Sequence, residues 1–256
     1  MKPNHSSVEQ VVFCGHIFRG LSKQRLLEAT DTFTFVITVN ADFLVTAEES
    51  PRFARLIDEG HATFDGQITW WLARWLARPR GVAFEKISGS SLANDILARA
   101  AAKGERVFML GARPEVNAAA VRQAQARFGA QVEGYSPPVF AYPGDATLND
   151  DILRRIAAFR PQVLLVAFGS PKQEFWIEDH RTALERAGVR MAVGCGGTLD
   201  FLAGSLRRAP VFVQRCGLEG VYRLLQEPSL MRLERLARSF LGVIIALKKC
   251  KPIART

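Results

Sequence analysis

The stretch VLLVAFGSPKQEFWIEDHRTALERAGVRMAVGCGGTLDFLAGSLRRAP, Val163–Pro210, holds two short apolar runs, Val163–Phe168 and Met191–Val193, and each stops at a glycine. The first opens into Ser170-Pro171-Lys172-Gln173-Glu174, the second into Cys195-Gly196-Gly197-Thr198. Apolar runs of this length that end in a glycine turn and lead into a helical pattern are the mark of buried parallel strands. In α/β proteins ligands bind beyond the carboxyl ends of such strands. Two loops rich in backbone N–H groups and polar side chains are therefore expected to face one pocket.

The same alternation extends back towards the N-terminus. Phe33–Val39 reads as a strand ended by Asn40, and Asp42–Glu59 as helical with a break at Pro51. Ala62–Phe64 is a short strand before Asp65-Gly66, and Ile68–Ala77 is apolar and aromatic. Ser90–Lys103 carries Leu92, Ile96, Leu97 and Ala100 at helical spacing. Arg106–Leu110 and Val132–Tyr135 read as strands, and Pro114–Phe128 and Ile152–Phe159 as helices. The Pro/Gly-rich piece Ser136–Asp145 reads as a surface loop. Strands and helices alternating at these spacings predict an α/β fold with a mostly parallel sheet and flanking helices over residues 1–206.

From 207 onward the pattern changes. Strand signals stop, and Gln214–Gln226 and Ser229–Lys249 look helical on either side of Pro228. The net charge of +9 is concentrated here: residues 207–256 carry +8 and residues 1–206 only +1. An excess of that kind implies an anionic partner: nucleic acid, phospholipid or a phosphorylated substrate. The last helix sets Leu233, Leu236, Phe240, Leu241, Ile244 and Ile245 among Arg232, Arg235, Arg238, Lys248 and Lys249. Apolar residues with basic flanks describe a helix lying in a membrane interface. A helix packed on the domain with its arginines in water is the alternative. Residues 207–256 are thus expected to form a basic amphipathic helical appendage.

A length of 256 residues and an apolar fraction of 48% suffice for a sizeable core. No window reaches the roughly 18 apolar residues a spanning helix needs, and MKPNHSSVEQ lacks a signal-peptide core. The four cysteines, Cys14, Cys195, Cys216 and Cys250, lie far apart and suggest neither a disulfide framework nor a zinc site. A cytoplasmic location is expected.

Asp65 is the sharpest chemical candidate. A carboxylate at the carboxyl end of a strand can act as general base towards a hydroxyl. An Asp-Gly turn, or an N-cap for the helix from Gln67, explains the same residue without chemistry. Thr38 and Asn40 favour the former, because they end the strand expected beside it. Gly111, between a strand and a helix starting near Pro114, could seat a phosphate at the helix N-terminus. Ser170, Lys172 and Gln173 offer hydrogen-bond donors in the loop that Gly169 opens. Gly194, Gly196 and Gly197 let backbone approach a ligand, although a tight packing turn fits them equally. There is no DxD, Walker A, HExxH or GxSxG sequence. His5, His16, His61 and His180 are scattered and read as structural or surface residues, and Trp70, Trp71 and Trp75 read first as packing residues.

Taken together, Thr38-Val39-Asn40-Ala41, Asp65-Gly66, Arg106–Gly111, AFGSPKQE at 167–174, GCGGTLDFLAGSLRRAP at 194–210 and QRCGLEGVYRLLQEP at 214–228 resemble the WecG/TagA/CpsF glycosyltransferases, glycosyltransferase family 26. The resemblance implies a Rossmann-like fold with a C-terminal appendage. It implies inverting, metal-independent transfer of a sugar of N-acetylmannosamine, glucose or uronic-acid type from a UDP-sugar to a polyprenyl-diphosphate-linked saccharide, with no cofactor. Asp65 matches the aspartate taken as the family's base, and Thr38, Asn40 and Gln173 match polar residues of its pocket. Arg215, Arg223, Arg232 and Arg235 correspond to the basic residues expected to hold the lipid diphosphate. The protein would then work on the inner face of the cell membrane, with an anionic lipid surface as partner and no nucleic acid; a homo-oligomer is left open. Two departures stand out: Ser90-Ser91 where the family usually has an acidic residue, and Gln67-Ile68-Thr69-Trp70 where aliphatic residues usually follow Asp-Gly. Both lie near the expected sugar pocket. A nucleotide-binding oxidoreductase or isomerase, and a non-catalytic nucleic-acid binder using the basic tail, are the alternatives.

Overall fold

The computed structural model describes residues 9–28, 32–77 and 82–250. In chain order the elements are β1 (Val11–Phe13), β2 (His16–Phe18), α1 (Lys23–Glu28), β3 (Thr34–Val39), α2 (Ala41–Glu49), α3 (Pro51–Glu59), β4 (His61–Phe64) and α4 (Gln67–Leu72), which runs on as a π-helical turn over Ala73–Ala77. There follow α5 (Gly89–Lys103), β5 (Arg106–Gly111), α6 (Pro114–Phe128), β6 (Gln131–Tyr135), α7 (Ala146–Phe159), β7 (Val163–Ala167), α8 (Lys172–Asp179), α9 (Arg181–Arg186) and β8 (Met191–Gly194). The chain closes with α10 (Thr198–Leu202), α11 (Val211–Arg215), α12 (Glu219–Gln226) and α13 (Leu230–Lys249).

Six strands form one parallel sheet in the order β4-β3-β8-β7-β5-β6, and β1 and β2 form a separate antiparallel hairpin. The expected α/β, Rossmann-like architecture is what is observed. Alternation of side chains along each strand feeds two cores. In β7, Leu164 and Val166 join Ile37, Phe64, Phe108 and Trp176 on one face. Val163 and Leu165 join Val36, Met109, Val193 and the α5 residues Leu92 and Ile96 on the other. Burial on both faces explains why these strands read as unbroken apolar runs. Glycine is required at 111: its φ is +94°, and a Cβ there would lie 2.8 Å from the Ala167 carbonyl oxygen of the neighbouring strand.

Several expectations need correction. The helix expected over Gln214–Gln226 is two helices, broken at Gly217, where φ is +75° and a Cβ would come within 2.7 Å of Ile68. Trp71 and Trp75 are not core residues: they are 47% and 55% exposed, whereas Trp70 is half-buried and its indole donates to the Phe84 carbonyl. The cysteines are free, as expected, but Cys14 and Cys250 meet with sulfurs 3.4 Å apart.

The last helix packs on the domain along one side, as the alternative reading had it, and leaves apolar side chains exposed along the other. One side of α13 packs on α2. The Arg238 guanidinium donates to Asp42, to both carboxylate oxygens of Glu49 and to the Thr46 hydroxyl. At Gly242 the helices touch backbone to backbone; a Cβ there would lie 1.9 Å from the Ala41 carbonyl oxygen. Ala246 is fully buried four residues on. The other side leaves Leu233, Phe240, Leu241, Ile244 and Leu247 exposed, alongside Phe212 and Leu225 of α11 and α12. Among the described residues no helix is long and apolar enough to cross a membrane.

Candidate active site

A cavity of about 720 Å³ opens at the carboxyl ends of β3, β4, β7 and β8 and is walled on its far side by residues of α10, α12 and α13. That volume is in the range that holds a nucleotide-sized ligand. It joins residues on both sides of position 206, so residues after 206 complete the pocket that the sheet begins.

On the sheet side, Thr38, Asn40 and Asp65 reach the cavity from neighbouring strands in register, Thr38 opposite Thr63 and Val39 opposite Phe64. Asn40 also caps α2 by accepting from the Phe43 N–H. Asp65 is not a helix cap: Gly66 holds that place for α4 and gives no side-chain bond. The Asp65 backbone is pinned by donation to the Val39 carbonyl, and the nearby Gly89 and Gly66 backbone N–H groups favour the charged form of its carboxyl. Gly89 opens α5, and a Cβ there would press at 3.4 Å on the hydroxyls of both Thr38 and Thr198. Desolvation, and secondarily the Glu219 carboxylate, push the Asp65 carboxyl up to about 7. A carboxylate with that pKa at a cavity floor is matched to proton abstraction near neutral pH.

Gln173 ties the two glycine loops of β7 and β8 together. Its Oε1 accepts from the Gly169 N–H at 3.2 Å and from the Gly196 N–H at 3.1 Å. The two loops do face one pocket, but these two amides are already occupied.

On the helical side, Arg208, Arg223 and Arg235 line the cavity. Arg208 donates to Ser88, the residue that caps α5. Arg223 lies over the Phe201 ring, with its Nε and Nη2 buried and without hydrogen-bond partners. Burial holds its pKa below the usual guanidinium range. Buried N–H groups without partners on a guanidinium that lines a cavity favour an anionic oxygen ligand.

A model described as Glycosyl transferase WecG/TagA/CpsF family matches residues 17–252. A Bacillus spizizenii (strain ATCC 23059 / NRRL B-14472 / W23) protein named N-acetylglucosaminyldiphosphoundecaprenol N-acetyl-beta-D-mannosaminyltransferase is 31% identical over 202 residues, 77% of this chain and 73% of that protein. The chain belongs to the WecG/TagA/CpsF glycosyltransferase family. The oxidoreductase, isomerase and nucleic-acid-binder alternatives give way to glycosyl transfer.

Of the residues singled out from the sequence of this glycosyltransferase, the cavity brings together Thr38, Asn40, Asp65, Gly169, Ser170, Gln173, Gly196, Gly197, Arg223 and Arg235. Four stand apart from its lining. Gly111 serves strand packing, and Ala112 reaches the cavity in its place. Lys172 turns towards the 136–145 loop, where it donates to the Phe140 carbonyl and lies over the Phe140 ring. Arg215 is exposed on α11, and Arg232 is paired with Glu227 at 2.7 Å. Sequence inspection missed Arg208, Glu219 and Thr198. Arg208 and Glu219 fall inside the stretches carrying the family resemblance, but nothing in their spacing shows that they fold back over Asp65. His16, His61 and His180 lie outside the cavity lining as expected, and His5 lies outside the described residues. Both departures, Gln67 and Ser90, line the cavity, and the Gln67 amide oxygen accepts from Lys86 Nζ at 3.1 Å.

Proposed function

We propose that this glycosyltransferase moves N-acetylmannosamine from its UDP-linked form to a polyprenyl-diphosphate-linked N-acetylglucosamine, with inversion and without a metal ion, on the inner face of the cell membrane. The observation that carries it is that Asp65, with its carboxyl near neutrality, and Arg223, with buried unpartnered N–H groups, line the same cavity. The sugar and acceptor are those in the relative's name. Asp65 takes the proton from the acceptor hydroxyl as its oxygen attacks the anomeric carbon. The bond to the UDP oxygen breaks on the opposite side, so an α-linked donor gives a β-linked product. Negative charge builds on departing UDP, and Arg208, Arg223 and Arg235 offset it. With the Gly169 and Gly196 amides taken by Gln173, arginine side chains rather than those loop amides hold the diphosphates. Metal independence is supported by the missing DxD. The exposed apolar side chains of α11 to α13 next to the cavity support delivery of the acceptor from the lipid surface.

The test is UDP release from a panel of UDP-sugars, with glucose and uronic-acid donors beside N-acetylmannosamine. The acceptor is a short-chain lipid-diphosphate N-acetylglucosamine, and each donor is run with and without chelator. The expected result is acceptor-dependent release from UDP-N-acetylmannosamine that chelator leaves unchanged. Release only from another donor would correct the sugar; loss of release on chelation would overturn metal independence.

A further inference from the structure

Glu174 is fully buried beside the cavity, yet it does not line it and has no part in the chemistry above. It accepts from Gln173 Nε2 at 2.7 Å. We propose that Glu174 is a positioning residue: it fixes the Gln173 amide so that Gln173 staples the β7–α8 loop to the β8–α10 loop and gives the cavity one fixed wall. The kinetic consequence rests on the sugar-transfer assignment; the staple itself does not.

The amide has one self-consistent orientation. Oε1 meets two backbone N–H donors, and Nε2 meets a carboxyl oxygen. Rotating the amide by half a turn would set its NH2 against two N–H groups, losing both of those bonds in a dry site, and would lose the third whenever Glu174 is ionised. Without Glu174, one side of that constraint disappears. The fit is close: a Cβ on Gly194 would lie 2.7 Å from Glu174 Oε1 and 2.9 Å from Gln173 Nε2, so glycine at the end of β8 makes room for the pair.

The two stapled loops are also where the cavity arginines rest. Arg223 Nη2 would be 2.6 Å from a Cβ on Gly197, next to Gly196, and Arg235 Nη2 3.9 Å from one on Gly169. The chain of contact thus runs from Glu174 through Gln173 to both loops and on to both guanidinium groups. Burial pushes the Glu174 carboxyl up to about 7, so the acceptor role does not depend on a permanent charge. A neutral glutamine can offer Gln173 the same oxygen.

The test uses the full chain as Gln173→Ala, Glu174→Gln, Glu174→Ala, Glu174→Met and the double variant Gln173→Ala/Glu174→Ala. Glu174→Met keeps the volume without an acceptor, should Glu174→Ala fail to fold. Amide hydrogen exchange at Gly169 and Gly196, followed by NMR, reads the staple whatever the substrate. Protection at both glycines should fall together, on the order of tenfold, in Gln173→Ala and in Glu174→Ala or Glu174→Met, and stay at the wild-type level in Glu174→Gln. In UDP release, Gln173→Ala and the double variant should agree in kcat/KM within about twofold, because residues acting as one unit are not additive. Unchanged glycine protection in Glu174→Met and Glu174→Ala, or fully additive losses in kcat/KM, would overturn the proposal. Absence of UDP release in the wild type would strike the sugar-transfer assignment and leave the exchange result to decide the staple.

Discussion

In the strand-end wall of the cavity, Thr38, Asp65 and Gln173 are held by backbone partners and by glycines that let elements close to contact. In the facing wall, Arg208 comes from the irregular segment before α11, and Arg223 and Arg235 from helices whose outer sides are apolar and open, Leu225 being 77% and Leu241 46% exposed. The first wall places few charges with little freedom; the second brings several positive charges on a support that has surface left to bury. The difference fits a division of labour, with proton transfer on the sheet and diphosphate and lipid on the helices. The helix α13 shows it within one element: Arg238, Gly242 and Ala246 dock on α2, and Leu241, Ile244 and Leu247 face away.

Each wall can be broken separately. Asp65→Asn should lower turnover about a thousandfold with UDP binding kept, since a general base contributes on that order; kinetics and UDP titration on the same sample check both halves. On the helical side, Arg223→Ala should weaken UDP binding on the order of thirtyfold or more, as expected for losing a charged hydrogen-bond donor in a desolvated site. Near-normal affinity would take the diphosphates away from that wall. To split the two sides of α13, Phe240→Ser/Leu241→Ser should cut sedimentation with phosphatidylglycerol vesicles several-fold and leave the melting temperature in place. Arg238→Ala should do the reverse and lower it by about 2–4 °C, the effect of roughly 1 kcal/mol in a domain of this size. If both variants change both readouts, the helix does not have two separable faces.

Asp65 also gives a stability signature of defined sign. Its carboxyl is raised from 3.8 to about 7, so the folded state holds the proton more tightly than the unfolded chain. Its stabilising share is complete below about 4 and is lost as pH rises through about 7. Asp65→Asn removes the burial of a charge and should therefore raise the melting temperature by a few degrees at pH 8 and hardly at all at pH 4. Thermal scans at the two values are the check.

The sheet was legible because burial on both faces leaves a local trace: apolar runs closed by a polar or glycine residue, as at Asn40, Asp65, Gly169 and Gly194. Thr38 and Asp65 could be placed together for the same reason, since parallel neighbours end at one edge. The rest depends on partners far away in sequence. Nothing near Gly242 announces the Ala41 carbonyl 201 residues earlier, nor does Cys14 announce Cys250. Arg208 and Glu219 are cavity residues through partners distant in sequence, Arg208 at Ser88 and Glu219 near Asp65, and Lys172 left the cavity because the Phe140 ring and carbonyl gave it a better place. The family resemblance named Gln173 as a pocket residue; only the distances show that its oxygen is spent on the protein's own backbone.

The central claim is that a carboxylate tuned by burial on the sheet side drives transfer to an acceptor held on the helical side. The pH dependence of kcat/KM for acceptor-dependent UDP release by the wild-type chain tests it most directly. The account predicts an acid limb of unit slope that bends to a plateau at about 7, as Asp65 loses its proton. A profile flat from pH 5 to pH 8 would contradict it.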